Sequence, residues 1–158
     1  MAEEEVELAT RTIAAPPEAI WHVITDPRGH VSIDGSGMLM AAQDAIPVTQ
    51  VGDEFTIDMD REALGDLPLG KYTVTNIVTK YQPFELFEWA VAGLGMPPVG
   101  HVYGYRLEPS GDGTTQVTSY CDWSGVNEDW KKSGFFPVIS ATTLRATLGI
   151  LERVVLSH

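Results

Sequence analysis

"IAAPPEAIWHVITDPRGHVSIDGSG", Ile13 to Gly37, decides more of the fold than any other stretch of the chain. Pro16 and Pro17 suit the first turn of a helix, where a missing N–H costs no hydrogen bond. Ile20, Trp21 and Ile24, with Val23, form an apolar face at helical spacing. Asp26-Pro27 stops that helix after about two turns. Trp21 and Ile24 are therefore expected to pack it under a sheet, with His22 turned to solvent. Asp34-Gly35-Ser36-Gly37 then offers glycines, a hydroxyl and a carboxylate. A phosphate-binding loop needs a preceding strand and a lysine opening a helix. Here Met38-Leu39-Met40 follows and reads as a strand, so the glycines read as a turn into it.

Working outward, residues 4–14 alternate, with Val6 and Leu8 on one face and Glu5, Glu7 and Ala9 on the other, as in a half-buried strand. Residues 52–60 alternate cleanly: Phe55, Ile57 and Met59 point in. Residues 70–81 are β-branched and aromatic and read as a strand whose alternation slips near Asn76-Ile77. Residues 84–91 place Phe87, Trp89 and Val91 on one face. Residues 101–109 place Tyr103 and Tyr105 together, and 114–124 return after a hairpin turn in which Asp112-Gly113 is expected to supply positive φ. From Pro137 to Leu156, apolar residues recur at helical spacing as one amphipathic helix. Strands segregated from helices make an α+β class. One helix covers six or seven strands only if the sheet twists and curls around it. That geometry leaves a space where pockets form.

A chain of 158 residues is expected to form one domain, 1–158. Ten basic residues against 22 acidic ones give a net charge of −12. The most basic cluster is Lys131-Lys132, so a phosphate backbone is repelled and nucleic acid is excluded as a partner. No apolar run approaches the ~20 residues of a membrane span. The acidic start Met1-Ala2-Glu3-Glu4-Glu5 is unlike a signal peptide. Cys121 has no second cysteine to pair with. These features lead to the expectation of a cytoplasmic monomer or homodimer.

The usual catalytic patterns are missing from the sequence. His22, His30, His101 and His158 form no i, i+4 pair, and no Cys-x-x-Cys occurs, so neither metal nor cofactor is expected. Glu88 and Asp122 fall on outer strand faces, away from any shared site, and no Gly-x-Ser-x-Gly elbow is present. Cys121, on an inner face, reads as a small hydrophobe. Alternation leaves an apolar wall instead. Its expected lining is Phe55, Ile57, Met59, Phe87, Trp89, His101, Tyr103, Tyr105 and Trp123 from the sheet. Met38 and Met40 join from the second strand, and Thr143, Leu144 and Leu148 from the helix. The apolar, glycine-rich stretch 93–100 reads as a lip, with Leu94 and Met96 at the entrance. A register slip of one residue would turn Tyr103 and Tyr105 outward.

"TIAAPPEAIWHVITDPRGH" and "YRLEPSGDGTTQVTSYCDW" resemble the opening and the late hairpin of START-like, or SRPBCC, proteins. The likeness is greatest to polyketide cyclase/dehydrase-like members, and "IDGSGML" (33–39) is similar to a bacterial subgroup of these. The resemblance implies a helix-grip fold: a curved antiparallel sheet wrapped around a long C-terminal helix, with two short helices after the first strand. It also implies a deep apolar cavity between sheet and helix, with His30 at an entrance. The expected function is binding of a small, largely apolar molecule, lipid or polyketide-like. Two alternatives stand beside it. One is a polyketide cyclase/dehydratase-like enzyme using Tyr103, Tyr105, His101 or Ser119 as acid or base. The other is a protein-interaction module working through its acidic surface.

Overall fold

The computed structural model describes residues 5–43, 46–62, 70–93 and 95–157. The first strand, β1 (Val6–Ile13), is followed by two short helices, α1 (Pro17–Ile24) and α2 (Pro27–Ile33). Asp26, which ends α1, also starts α2: its carboxylate accepts from the Arg28 amide at 3.0 Å, and Pro27 occupies the first helical position. Strands β2 (Leu39–Ala42), β3 (Glu54–Asp60), β4 (Lys71–Gln82), β5 (Leu86–Gly93), β6 (Val102–Pro109) and β7 (Thr115–Asp122) come next. A one-turn helix, α3 (Glu128–Lys132), precedes the long α4 (Ala141–Leu156), which Ser140 caps by accepting from the Thr143 amide. The α+β class, the two early helices and the long last helix are as the sequence indicates.

The strands form one curved antiparallel sheet of seven, in the order β1-β7-β6-β5-β4-β3-β2. Helix α4 lies on its concave side against β1, α1 and α2. Ile13, Ile20, Ile24, Phe55, Phe87, Val117, Leu148 and Leu151 are fully buried between them. Burial of each such side chain contributes about 1.5–3 kcal/mol. Trp21 closes the base, with its ring edge-on to Tyr81, Phe84 and Phe87. His22 is exposed.

Several local expectations are corrected. On β1 the buried parity is Ala9 and Ile13, while Leu8 is exposed. Helix α4 packs on the Ala9 face, where a small residue allows close approach, and Arg11 on that face pairs with Glu152 of α4 at 2.8 Å. Alternation on β4 does not slip at Asn76: Val74, Asn76 and Val78 share the buried parity, and the irregularity falls between Val78 and Lys80. Phe84 belongs to the turn before β5, with φ of 66°. In the β6–β7 hairpin the positive φ angles belong to Gly111 and Gly113, not Asp112. The helix expected from Pro137 begins at Ala141.

The glycine stretch is a turn, as expected. Asp34 organises it, accepting from the Ser36 amide, the Ser36 hydroxyl and the Leu39 amide at 2.9, 2.6 and 2.9 Å. Gly35 sits hard against α4. Its amide donates to Thr147 Oγ1 at 2.9 Å, and a Cβ at this position would lie 2.7 Å from the Thr147 nitrogen. Thr147 in turn donates to the Thr143 carbonyl at 3.2 Å. Thr147 thus ties the turn to the helix.

Candidate functional site

Between the concave face and α4 the structure encloses a cavity of about 230 Å³. Strand register builds its floor. Trp89 lies opposite Tyr103, Asn76 opposite Val91, and Val74 opposite Ile57 on one side and Gly93 on the other. Helix α2 supplies His30 and Ile33. Helix α4 supplies Thr143, Leu144 and Thr147. Segments flanking the sheet close the mouth: Met96, Pro97 and Val99 on one side, Trp130, Phe135 and Phe136 on the other. Trp89 and Tyr103 stack at 6.0 Å with their planes 25° apart, giving a flat aromatic surface.

Most of the expected lining residues meet here. Met38, Ile57, Met59, Trp89, His101, Tyr103, Tyr105, Thr143, Leu144, His30 and Met96 all border the cavity. Five do not. Phe55, Phe87 and Leu148 share the correct face but lie in the core behind the cavity wall. Trp123 belongs to a separate cluster with Cys121 and Val126. Met40 points outward and is 56% exposed. Its pairing with β3 is irregular between Leu39 and Ala41, which breaks the simple alternation that placed it with Met38. Leu94 lies outside the described residues.

His30 is placed differently from expectation. It sits within α2, not in a loop at an entrance, and is only 7% exposed. Phe55, Phe87 and Trp89 surround its ring. Nε2 donates to the Ile24 carbonyl at 2.7 Å, because a carbonyl only accepts. That bond fixes the tautomer and leaves Nδ1 as a lone-pair acceptor. Burial holds the His30 pKa down at about 4 despite that bond, so the ring is neutral at pH 7.

His101, 8% exposed, lies at the other end, edge-on to Tyr103 and Phe136. Burial lowers its pKa to about 4 as well. Its Nδ1 is sealed from solvent and has no hydrogen-bond partner among the described residues. The remaining polar groups are subdued by their surroundings. Burial pushes the Tyr103 hydroxyl well above its ordinary range and the neighbouring Cys121 thiol up to about 12. Tyr105, beside Ser119, is raised for the same reason. Among the described residues, His, Cys, Asp and Glu side chains nowhere gather as a metal-binding group.

Glu88 and Asp122 lie away from the cavity. Glu88 is buried on the convex face, where it accepts from Tyr120 at 2.8 Å and from Thr79 at 2.7 Å. Gly104 makes room for that arrangement, since a Cβ there would meet the Tyr120 ring at 2.4 Å.

Sequence reasoning missed Asn76, Ile33, Tyr72, Thr147 and the aromatic residues Trp130, Phe135 and Phe136. Asn76 had a signal: a polar residue at a buried parity between Val74 and Val78. The last three lie outside any strand, where alternation gives no information.

The chain is 32% identical over 111 residues to an uncharacterised protein of Mycobacterium tuberculosis, a match spanning 70% of this chain and 44% of that one. It therefore spans less than half the length of the curated relatives it matches. A crystal structure of a Mycobacterium smegmatis protein superposes with a TM-score of 0.68 at 18% identity, covering 99% of this chain and 94% of the other. Norcoclaurine synthase from Thalictrum flavum, solved with a transition-state analogue, gives 0.67 at 19% identity, covering 97% and 94%. These likenesses establish the helix-grip fold. Among the described residues no helix is long and apolar enough to cross a membrane. With the family model for polyketide cyclase/dehydrase and lipid transport matching residues 8–155, the chain belongs to that family, within the START-like superfamily.

Proposed function

We propose that residues 1–158 act as one ligand-binding domain that holds a single small, largely apolar molecule between sheet and helix. The observation that carries this reading is the cavity itself: about 230 Å³, floored by Trp89 and Tyr103 and closed by apolar side chains. That volume lies below the roughly 300 to 1,000 Å³ of ligand pockets for drug-sized molecules. It suits a compact ring system better than a lipid with two chains.

The protonation states support binding over proton-transfer chemistry. A general acid or base works best with a pKa near the working pH. His30 and His101 lie near 4, and Tyr103 and Tyr105 are raised above their ordinary value. The family description, which pairs enzymes with lipid transport, accommodates a carrier.

Native mass spectrometry of freshly purified protein tests the reading, followed by solvent extraction and identification of what is released. The expected result is one discrete bound mass per chain. A clean unliganded mass, together with no uptake of a fluorescent lipophile, would overturn it.

A further inference from the structure

Two polar side chains on the cavity wall make no side-chain hydrogen bond among the described residues. Asn76 is 5% exposed and borders the cavity, and among the described residues no side-chain hydrogen bond engages its amide, which is not sealed as His101 Nδ1 is and so opens on the cavity. His101 likewise makes no side-chain hydrogen bond there, and its Nδ1 is sealed. A buried amide or imidazole left without a partner is destabilising, and interiors nearly always satisfy such groups. Packing alone would be served better by valine at 76, since Val74 and Val78 flank it on the same face.

The ladder places these two groups in one line. Asn76 is opposite Val91 on β5, and Ala90 is opposite Val102 on β6. The ladder ends at that pair, and His101, just before Val102 in the chain, continues toward the Val91 side of the wall. Asn76 and His101 thus flank Val91 across the concave wall, about 9–10 Å apart along the sheet. Next to this row lies the stacked pair Trp89 and Tyr103.

The charge of the ligand also follows. Among the described residues no lysine or arginine lines the cavity: the nearby guanidinium of Arg61 is buried and donates to Met38 Sδ and the Val138 carbonyl, and the lining acid Asp34 is engaged by Ser36 and Leu39. A carboxylate or phosphate placed there would be a buried charge with no cation among the described lining residues to pair with, which is costly. Sealed Nδ1 is better left as a lone pair than as an orphaned N–H, which places the His101 proton on Nε2.

We infer that the cavity selects an uncharged, flat ring compound bearing a ketone or hydroxyl oxygen, which the Asn76 amide and the His101 ring hold by hydrogen bonds. This rests on the binding reading above and narrows it to one ligand class.

Four probes of one shape test it by calorimetry at pH 7: naphthalene, 2-naphthol, 2-acetylnaphthalene and 2-naphthoate. With the unaltered protein, the alcohol and the ketone are expected to bind about tenfold more tightly than naphthalene, as one or two net hydrogen bonds allow. The naphthoate is expected to bind more weakly than the ketone. In Asn76→Val the advantage of the ketone over naphthalene disappears, and in His101→Phe it shrinks; naphthalene binding to each variant reports whether the cavity is intact. The inference is overturned if naphthalene binds but the ketone and alcohol bind no tighter, which would mean that water alone satisfies Asn76 and His101. It is equally overturned if the naphthoate binds best, or if the advantage survives in both variants. If none of the four probes binds, the binding reading itself fails and takes this inference with it. The ligand series on the unaltered protein does not depend on how well either variant folds.

Discussion

At the base of the cavity His30 is locked between Phe55, Phe87 and Trp89 and donates to Ile24 at 2.7 Å. At the mouth His101 meets Tyr103 and Phe136 edge-on, and among the described residues its Nδ1 has no partner. Both rings have their pKa lowered to about 4, because burial alone disfavours the cation. What differs is the use of the neutral ring. His30 is tied to a backbone carbonyl of α1 and contributes to holding the base shut. His101 has no such tie among the described residues. The same residue type at similar burial is hydrogen-bonded at one end and, among the described residues, unbonded at the other.

The sharpest way to break this contrast is to truncate one aromatic residue at each end. Phe87 is fully buried at the base, so Phe87→Ala leaves a cavity within packed core and is expected to cost about 3–5 kcal/mol in urea unfolding. Tyr103 faces space that is already open, so Tyr103→Ala is expected to cost clearly less while weakening ligand binding more. Equal losses of stability would show that base and mouth are packed alike. The sequence alternation treats these two residues as equivalent wall; the structure separates them by depth.

Acid titration gives the next largest effect. The unfolded histidine titrates near 6.5 and the folded one near 4. Between these values the unfolded chain takes up protons that the folded chain refuses, so stability falls as the pH drops from 6.5 to 4. Each histidine contributes at most about 3 kcal/mol to that fall. Urea midpoints measured across this range should show the slope, and His101→Phe should remove roughly half of the histidine share. Binding of an uncharged ligand should stay flat from pH 6.5 to 8, where both rings are already neutral. A slope unaffected by His101→Phe would mean that the mouth ring is solvated, unlike His30.

The smallest effect concerns the lip. Met96 is partly exposed and borders the mouth. Met96→Ser is expected to leave stability within about 0.5 kcal/mol, as surface changes usually do. It should nevertheless alter the rate at which a fluorescent lipophile enters, measured by stopped flow. An unchanged rate would place the route of entry elsewhere on the molecule.

Much of the site was legible from alternation, and the failures have distinct causes. Ile57, Met59, Trp89, Tyr103 and Tyr105 face the cavity because a strand's period of two assigns faces without knowledge of the partner. Met40 failed because the β2–β3 ladder is irregular beside it. Phe55, Phe87 and Leu148 failed because sharing a face says nothing about depth. Asn76 was passed over because its polarity was read as a break in the pattern, when it is a polar group set into an apolar wall. On β1 the more apolar face by sequence, Val6 and Leu8, lost to the Ala9 face because a helix packs there.

The sequence by itself determined the α+β class, the turn at Asp26-Pro27, the turn at Gly35 and Gly37, and the long final helix. These features rest on local chemistry: φ restriction by proline, side-chain capping, and periodicities of two and 3.6 that repeat within a few residues. The tertiary structure alone decided which inward residues became core and which became cavity wall, and that Asn76 and His101 share one row of it. Those outcomes depend on where α4 crosses a curved sheet and on which residues of distant strands stand opposite each other. Such distances join residues far apart in the chain, and no local pattern encodes them.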